Sequence, residues 1–322
     1  MEALRDLEPY VDNAVKVFMD NMKERKDQVI DMGNWVQLFA FGQYISSRCI
    51  LDLTELDVIG EVSFSKRFGF MDASQDDGSF GRIEGALRSA AWIGQIPKLY
   101  WIHDRLIPYI GNHLGIAARH GSLRQFAMRE VEGRKDRDTD RNDILAKLFA
   151  TQKEKPNEMD HNAVTSMATS NIFAGSDTTA ISTRAIIYYL LKNPEAKRKF
   201  VEEIDDRRRQ GKLSDPVKLA EADDMPYLQA VMYEALRLHP AVGMSLPRVV
   251  PEGGFEVAGQ YLQAGSVVGA NPWVIHRDKS VYGDDVHAFR PERWMQEDTG
   301  DMHRFFFAFG AGARMCLGRN IR

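Results

Sequence analysis

The sequence predicts a helix-dominated α+β fold. Through the first 240 positions apolar residues recur at spacings of three and four, the period of an amphipathic helix. From 241 to 290 the texture changes to short runs of Val, Tyr and Phe between Gly253-Gly254, Gly259, Gly265 and Gly269, which predicts a small strand-and-turn region. The chain has 322 residues, enough for one large domain or about two ordinary ones with a substantial core.

Composition excludes several function classes. The 42 Lys+Arg and 46 Asp+Glu leave a net charge of −4, which is not the footprint of a nucleic-acid-binding polycation. Two cysteines, Cys49 and Cys316, rule out a disulfide-stapled secreted scaffold and point to a reducing compartment. The longest wholly apolar run found is the seven residues Ala185–Leu191, far below the roughly 18 of a membrane span. Glu2, Arg5, Asp6 and Glu8 break any signal-peptide core.

Along the chain, Leu4, Leu7, Val11, Val15, Phe18 and Met22 predict an amphipathic helix from Glu2 to about Lys26. Residues 60–128 read as helical pieces broken at Gly78, Gly81, Pro97, Pro108, Gly111 and Gly121, with Trp92, Tyr100 and Trp101 as packing anchors. Between Arg129 and Asp143, 11 of 15 residues are charged, five basic and six acidic, and this reads as a solvated connection. A long helix is predicted from an Asp160 N-cap to Lys192, ending where Pro194 opens the next one. Apolar or small residues on nearly all its sides predict that it runs through the core. Another helix starts at Pro226 and stops before Pro240.

The strongest chemical signal is Phe309-Gly-Ala-Gly312-Ala-Arg314-Met-Cys316-Leu-Gly318. Glycines let a backbone turn tightly and approach a bulky ligand. Arg314 and N–H groups aimed at the sulfur would favour the metal-binding thiolate of Cys316. Glu234-Ala-Leu-Arg237 places opposite charges at i, i+3 on one helix face, and Phe289-Arg-Pro291-Glu-Arg293-Trp294 follows it. Ala174-Gly175-Ser176-Asp177-Thr178-Thr179 puts poor helix formers inside the long helix, where Thr hydroxyls either bond back to the preceding turn or serve a site.

With these residues in view, the chain resembles the cytochrome P-450 haem-thiolate monooxygenases, and its tail from Val242 to Arg322 looks most like fungal members of the pisatin-demethylase kind. The resemblance covers the whole chain and implies one cytochrome P-450 domain with haem b. It makes Cys316 the axial ligand, with Phe309, Gly312 and Gly318 shaping the loop and Arg314 and Arg248 meeting the propionates. Glu234, Arg237 and Arg293 become a buried network that supports the loop. Ala174 and Gly175 make room for dioxygen, Thr178 orders a water and Asp177 relays protons. Pocket candidates are Ile172, Phe173, Val242, Gly243, Met244, Ser245 and Leu246, with further residues from 80–120; their apolar character implies a lipophilic small-molecule substrate, a secondary metabolite or plant defence compound.

The resemblance further implies electrons from NADPH through a reductase, with cytochrome b5 as a second donor, since no dinucleotide-binding signature is present. Arg304, Arg314 and Arg319 are candidates for the docking face. The parent protein is expected at the cytosolic face of the endoplasmic reticulum membrane. Its membrane anchor, first helices and strands, and the end of the proximal helix are expected to lie outside this chain. The segments Trp35–Phe41 and Asp57–Phe68 look like one family segment interrupted by 42–56, which reads as a retained intron or gene-model error, and Cys49 inside it is given no role. Two other readings stand beside this one: an inactive fragment of such an enzyme, and a haem-thiolate isomerase or dehydratase, which has no use for Asp177-Thr178.

Overall fold

The computed structural model describes residues 7–41, 58–65, 99, 101–102, 105–106, 109, 116–135 and 141–320. These fall into two compact units, Met1–Ala180 and Ile181–Arg322. The expected insertion at 42–56 lies outside the described residues, as do most of 60–128.

The first unit contains helices α1 (Glu8–Glu24), α2 (Met32–Phe41), α3 (Val58–Phe64), α4 (Ile116–Lys135), α5 (Ile144–Glu154) and most of α6 (His161–Lys192). Trp35 of α2 is buried against Val17, Phe18 and Met22 of α1. A larger core gathers Phe64 from α3, Ala127 and Val131 from α4, Leu145 and Leu148 from α5, and Val164, Ala168 and Ile172 from α6. Asp160 caps α6 as expected, its Oδ1 accepting from Ala163 N at 2.7 Å.

Three expectations are corrected here. Residues 129–143 are not simply a solvated connection. α4 runs to Lys135, Arg134 Nε donates to Asp143 Oδ2 at 2.8 Å, and Arg141 Nη1 donates to both oxygens of the buried Glu61 at 2.7 and 2.8 Å. Burial pushes the Glu61 carboxyl above its usual range, and Arg141 opposes that rise only in part. Charge count alone misleads because paired charges can be buried where single ones cannot. Nor is α6 enclosed on nearly every side: Met167, Tyr188 and Leu191 are 45%, 54% and 64% exposed. Trp101, expected as a packing anchor, is 68% exposed.

The second unit carries the last turns of α6, then α7 (Pro194–Arg209), α8 (Leu219–Asp223) and α9 (Pro226–Leu238). The strand-and-turn region follows as two antiparallel pairs. β1 (Arg248–Val249) pairs with β4 (Val267–Val268), and β2 (Phe255–Val257) with β3 (Gln260–Leu262), with Glu256 opposite Tyr261. Short helices Pro272–Ile275, Lys279–Tyr282 and Gly300–Arg304 follow, with 3-10 turns at Pro291–Met295, Gly312–Arg314 and Leu317–Asn320. Among the described residues two core clusters lie in this unit. Leu190, Tyr227 and Val231 pack with Phe200 and Phe289, and Ala230, Tyr282, Val286, Trp294 and Met302 pack with Tyr233 and Phe306.

Candidate functional site

Helix α9 organises the second unit. Its first residue is Pro226 and Met225 offers no side-chain cap. Glu203 of α7 supplies the cap from a distance, its two carboxylate oxygens accepting from Tyr227 N and Leu228 N at 2.8 Å each. This fixes α9 so that Glu234 and Arg237, both wholly buried, face the same side.

The Glu234 carboxylate is saturated. Oε1 accepts from Arg237 Nη2 at 2.8 Å, Arg293 Nε at 2.9 Å and Arg290 N at 3.0 Å, while Oε2 accepts from Arg237 Nε at 2.8 Å and Trp294 Nε1 at 2.9 Å. The two guanidiniums then collect backbone carbonyls from the segment 276–288. Arg237 donates to His276 O, Val286 O and Ala288 O, and Arg293 to Tyr282 O and Asp285 O. The structure thus brings Glu234, Arg237 and Arg293 together and adds Trp294, which spacing did not single out.

His276 is the other group that sequence reasoning missed. It is wholly buried. Its Nδ1 lies 3.0 Å from Arg237 O and its Nε2 accepts from Phe307 N at 2.8 Å. Burial first, then the nearby Arg237 and Arg277, push its pKa down to about 4 from 6.5, against the hydrogen bond to Arg237 O. Because the folded value lies below the unfolded one, the unfolded chain takes up the proton first. The stability from a neutral His276 is therefore complete above about pH 6.5 and is lost as pH falls toward 4. The loss expected is about 3 kcal/mol. Urea unfolding of the wild type and of His276→Gln between pH 7 and 4 should show the steeper decline in the wild type; parallel curves contradict it.

The cysteine loop follows from Phe306, whose ring stacks on His276 at 5.4 Å and meets Trp294 edge-on. Gly310 and Gly312 have φ of +70° and +67°, the left-handed region that glycine enters without steric cost. Gly310 N donates to Phe307 O at 3.0 Å and Cys316 N to Phe309 O at 2.9 Å, so the loop is closed by its own backbone. Phe309 is half-buried, whereas Gly312, Arg314, Cys316 and Gly318 are exposed. Among the described residues, a Cβ added at Gly310 or Gly312 meets no atom within 4 Å, and one at Gly318 falls 3.7 Å from Cys316 Sγ. The loop therefore presents an uncovered backbone face beside an exposed sulfur. Among the described residues no three His, Cys, Asp or Glu side chains form a metal cage. A haem, which brings its own nitrogen donors and needs one thiolate from the protein, would fit that donor set.

The other expected site residues stand as follows. Thr178 and Asp177 are half-buried and Ala174 is exposed; Thr178 Oγ1 donates to Ala174 O at 2.7 Å, the bond back to the preceding turn. A Cβ at Gly175 would fall 2.8 Å from Ile59 Cδ1, so the space beside this glycine is occupied by α3. Ile172, expected to line the pocket, is wholly buried among the core side chains of the first unit. The side chain of Phe173 lies outside the described residues. Val242 and Leu246 are exposed and Met244 half-buried, and Arg248 Nη1 donates to Leu246 O and Pro247 O of its own turn.

A family model described as Cytochrome P450 matches residues 1–321. The chain belongs to the cytochrome P450 family. Over its whole length this cytochrome P450 is 40% identical to the cytochrome P450 monooxygenase hepC of Aspergillus oryzae, covering 63% of that protein. It is 34% identical to a pisatin demethylase of Fusarium vanettenii, covering 61% of it, and 34% identical to the cytochrome P450 monooxygenase gsfF of Penicillium aethiopicum, covering 63%. The chain thus spans about three fifths of the length of these relatives. Family membership implies a haem iron cofactor. Among the described residues no helix is long and apolar enough to cross a membrane.

Proposed function

We propose that this cytochrome P450 chain is the haem-thiolate core of a monooxygenase that inserts one atom of O2 into a lipophilic small molecule. The observation that carries the proposal is the exposed Cys316 in an open-faced glycine loop, anchored through His276 to the end of the helix that bears the Glu234, Arg237 and Arg293 network.

Cys316 would hold haem b by its sulfur, with Phe309, Gly312 and Gly318 shaping the loop and Arg314 and Arg248 pairing with the carboxylates of the macrocycle. When bound, haem would supply the oxygen chemistry, and the Cys316 thiolate would donate electron density to it. Asp177 and Thr178 hold and pass the protons that this chemistry consumes, as positioned general acids. Val242, Met244 and Leu246 would offer an apolar lining to the substrate, and the family resemblance adds Phe173; of the small pair Ala174 and Gly175 that the resemblance assigns to dioxygen, Gly175 has Ile59 beside it. The substrate class is a plant defence compound or a secondary metabolite, and relatives that carry the name pisatin demethylase support a small-molecule substrate. Electrons come from NADPH through a reductase, with cytochrome b5 as an alternative donor, at the cytosolic face of the endoplasmic reticulum membrane.

The test is to supply haem, reduce the protein under carbon monoxide and record the Soret band. A red-shifted thiolate-type band is expected in the wild type and in Cys49→Ala, and its complete loss in Cys316→Ala. A thiolate-type band that survives Cys316→Ala overturns the assignment.

A further inference from the structure

We propose that His276, in its neutral Nδ1–H tautomer, is a positioning residue that transmits the end of α9 to the cysteine loop. The inference rests on the reading of Cys316 as the haem ligand and extends it to a residue that touches neither the sulfur nor the cofactor.

The geometry admits one arrangement of protons. A backbone carbonyl can only accept, so Nδ1, 3.0 Å from Arg237 O, must carry the hydrogen. A backbone amide can only donate, so Nε2, 2.8 Å from Phe307 N, must be bare. The ring is thus a rigid spacer between two backbones that are 70 positions apart. On its far side Phe307 continues the path, because its carbonyl accepts from Gly310 N and the next bond in the loop runs from Cys316 N to Phe309 O. On its near side, Arg237 is the residue whose guanidinium is locked onto Glu234, and its Nη1 returns a bond to His276 O at 2.8 Å. Stacking of Phe306 on the imidazole at an interplanar angle of 10° leaves the ring no second orientation that keeps both bonds.

The same arrangement makes the hold acid-labile. The charged and titratable groups around the ring are Arg237 from α9, Arg277 beside it in the chain and the Tyr282 ring at 6.3 Å from the helix Lys279–Tyr282. Both arginines oppose a further positive charge. When protonation does occur, Nε2 becomes a donor that faces the Phe307 N–H donor. The bond to Phe307 then fails while the one to Arg237 O persists, so the loop detaches and α9 keeps its own network.

Two substitutions separate the two bonds. His276→Asn retains a donor at the position of Nδ1 and has nothing at that of Nε2; His276→Gln places an amide oxygen where Nε2 accepts. Amide hydrogen exchange of the haem-free chain, read by mass spectrometry on peptides covering 305–316 and 226–238, is the primary measurement. Exchange in 305–316 is expected to rise about tenfold in His276→Asn, with 226–238 unchanged, and to return toward the wild-type rate in His276→Gln. In the wild type, after correction for intrinsic exchange, the same selective loosening is expected on lowering the pH from 7 to 4, and it should be absent in His276→Gln. With haem supplied, His276→Asn is expected to shift the reduced carbon monoxide Soret band from the thiolate-type toward the free-haem position.

Unchanged exchange of 305–316 in His276→Asn overturns the proposal, and so does equal loosening of 226–238 or failure of His276→Gln to restore protection. The exchange measurements need no haem. Loss of the Cys316 assignment in the carbon monoxide test would therefore leave the coupling of His276 to the loop standing, and failure of the exchange pattern would leave the ligand assignment standing.

Discussion

Glu234→Ala is expected to destabilise the second unit by about 5 kcal/mol, the upper end of what removing one partner of a buried ion pair costs. The loss is large because the carboxylate serves two buried guanidiniums, the Arg290 amide and the Trp294 indole at once. Native domains hold only about 5–15 kcal/mol in all, so the variant should be largely unfolded under mild conditions. Urea unfolding followed by tryptophan fluorescence is the measurement, since Trp294 donates directly to Glu234. An unchanged midpoint would show that the network contributes nothing net. Buried ion pairs elsewhere are often replaced by apolar groups at little cost. Here that route is closed, because Arg237 and Arg293 also satisfy the carbonyls of His276, Tyr282, Asp285, Val286 and Ala288, and an apolar replacement leaves those oxygens buried and unpaired.

Asp143→Ala is expected to cost the first unit about 4 kcal/mol, combining a lost helix cap with a broken buried ion pair. Asp143 is wholly buried and holds three elements. Oδ1 caps α5 through Ala146 N at 2.6 Å, and Oδ2 accepts from Arg134 Nε of α4 and from Ser65 Oγ, just beyond α3. Asp143→Asn keeps an oxygen for the cap and loses the charge opposite Arg134, so about half the effect should return. Hydrogen exchange across α4 and α5, with α9 as the internal reference, reads the result by region. Loosening of α9 to the same degree, or full stability of Asp143→Ala, would contradict the assignment.

These two networks show where local pattern informs and where it fails. The Asp160 cap and the prolines at 194, 226 and 240 placed α6 and α9 close to their observed bounds, because caps and prolines act on the local backbone, while the period of three and four found α1, whose observed start at Glu8 falls after the expected Glu2. The same pattern could not say that Ile172 faces the core of the first unit while Met167 and Tyr188 of the same helix are exposed. Facing is decided by which neighbours are present. The charged stretch 129–143 misled for a related reason: whether Arg134 and Asp143 are buried, and whether Arg141 meets a buried carboxylate, depends on partners, one of them Glu61, 80 positions before Arg141.

For the site, spacing brought out the glycine-flanked Cys316 and the Glu234-x-x-Arg237 pair, because tight turns and shared helix faces require residues at fixed short intervals; poor helix formers marked the Ala174–Thr179 stretch, and the family resemblance added Arg293. Only the tertiary structure decided that Glu203 caps α9 from another helix, that Trp294 joins the carboxylate, that Ile59 occupies the space beside Gly175, and that His276 joins Arg237 to Phe307. Each of these is a contact between residues far apart in the chain, and His276 and Glu203 bind backbone groups, which every residue carries. A sequence shows side chains and their intervals; which distant carbonyl or amide comes to meet them is settled only when the chain is packed.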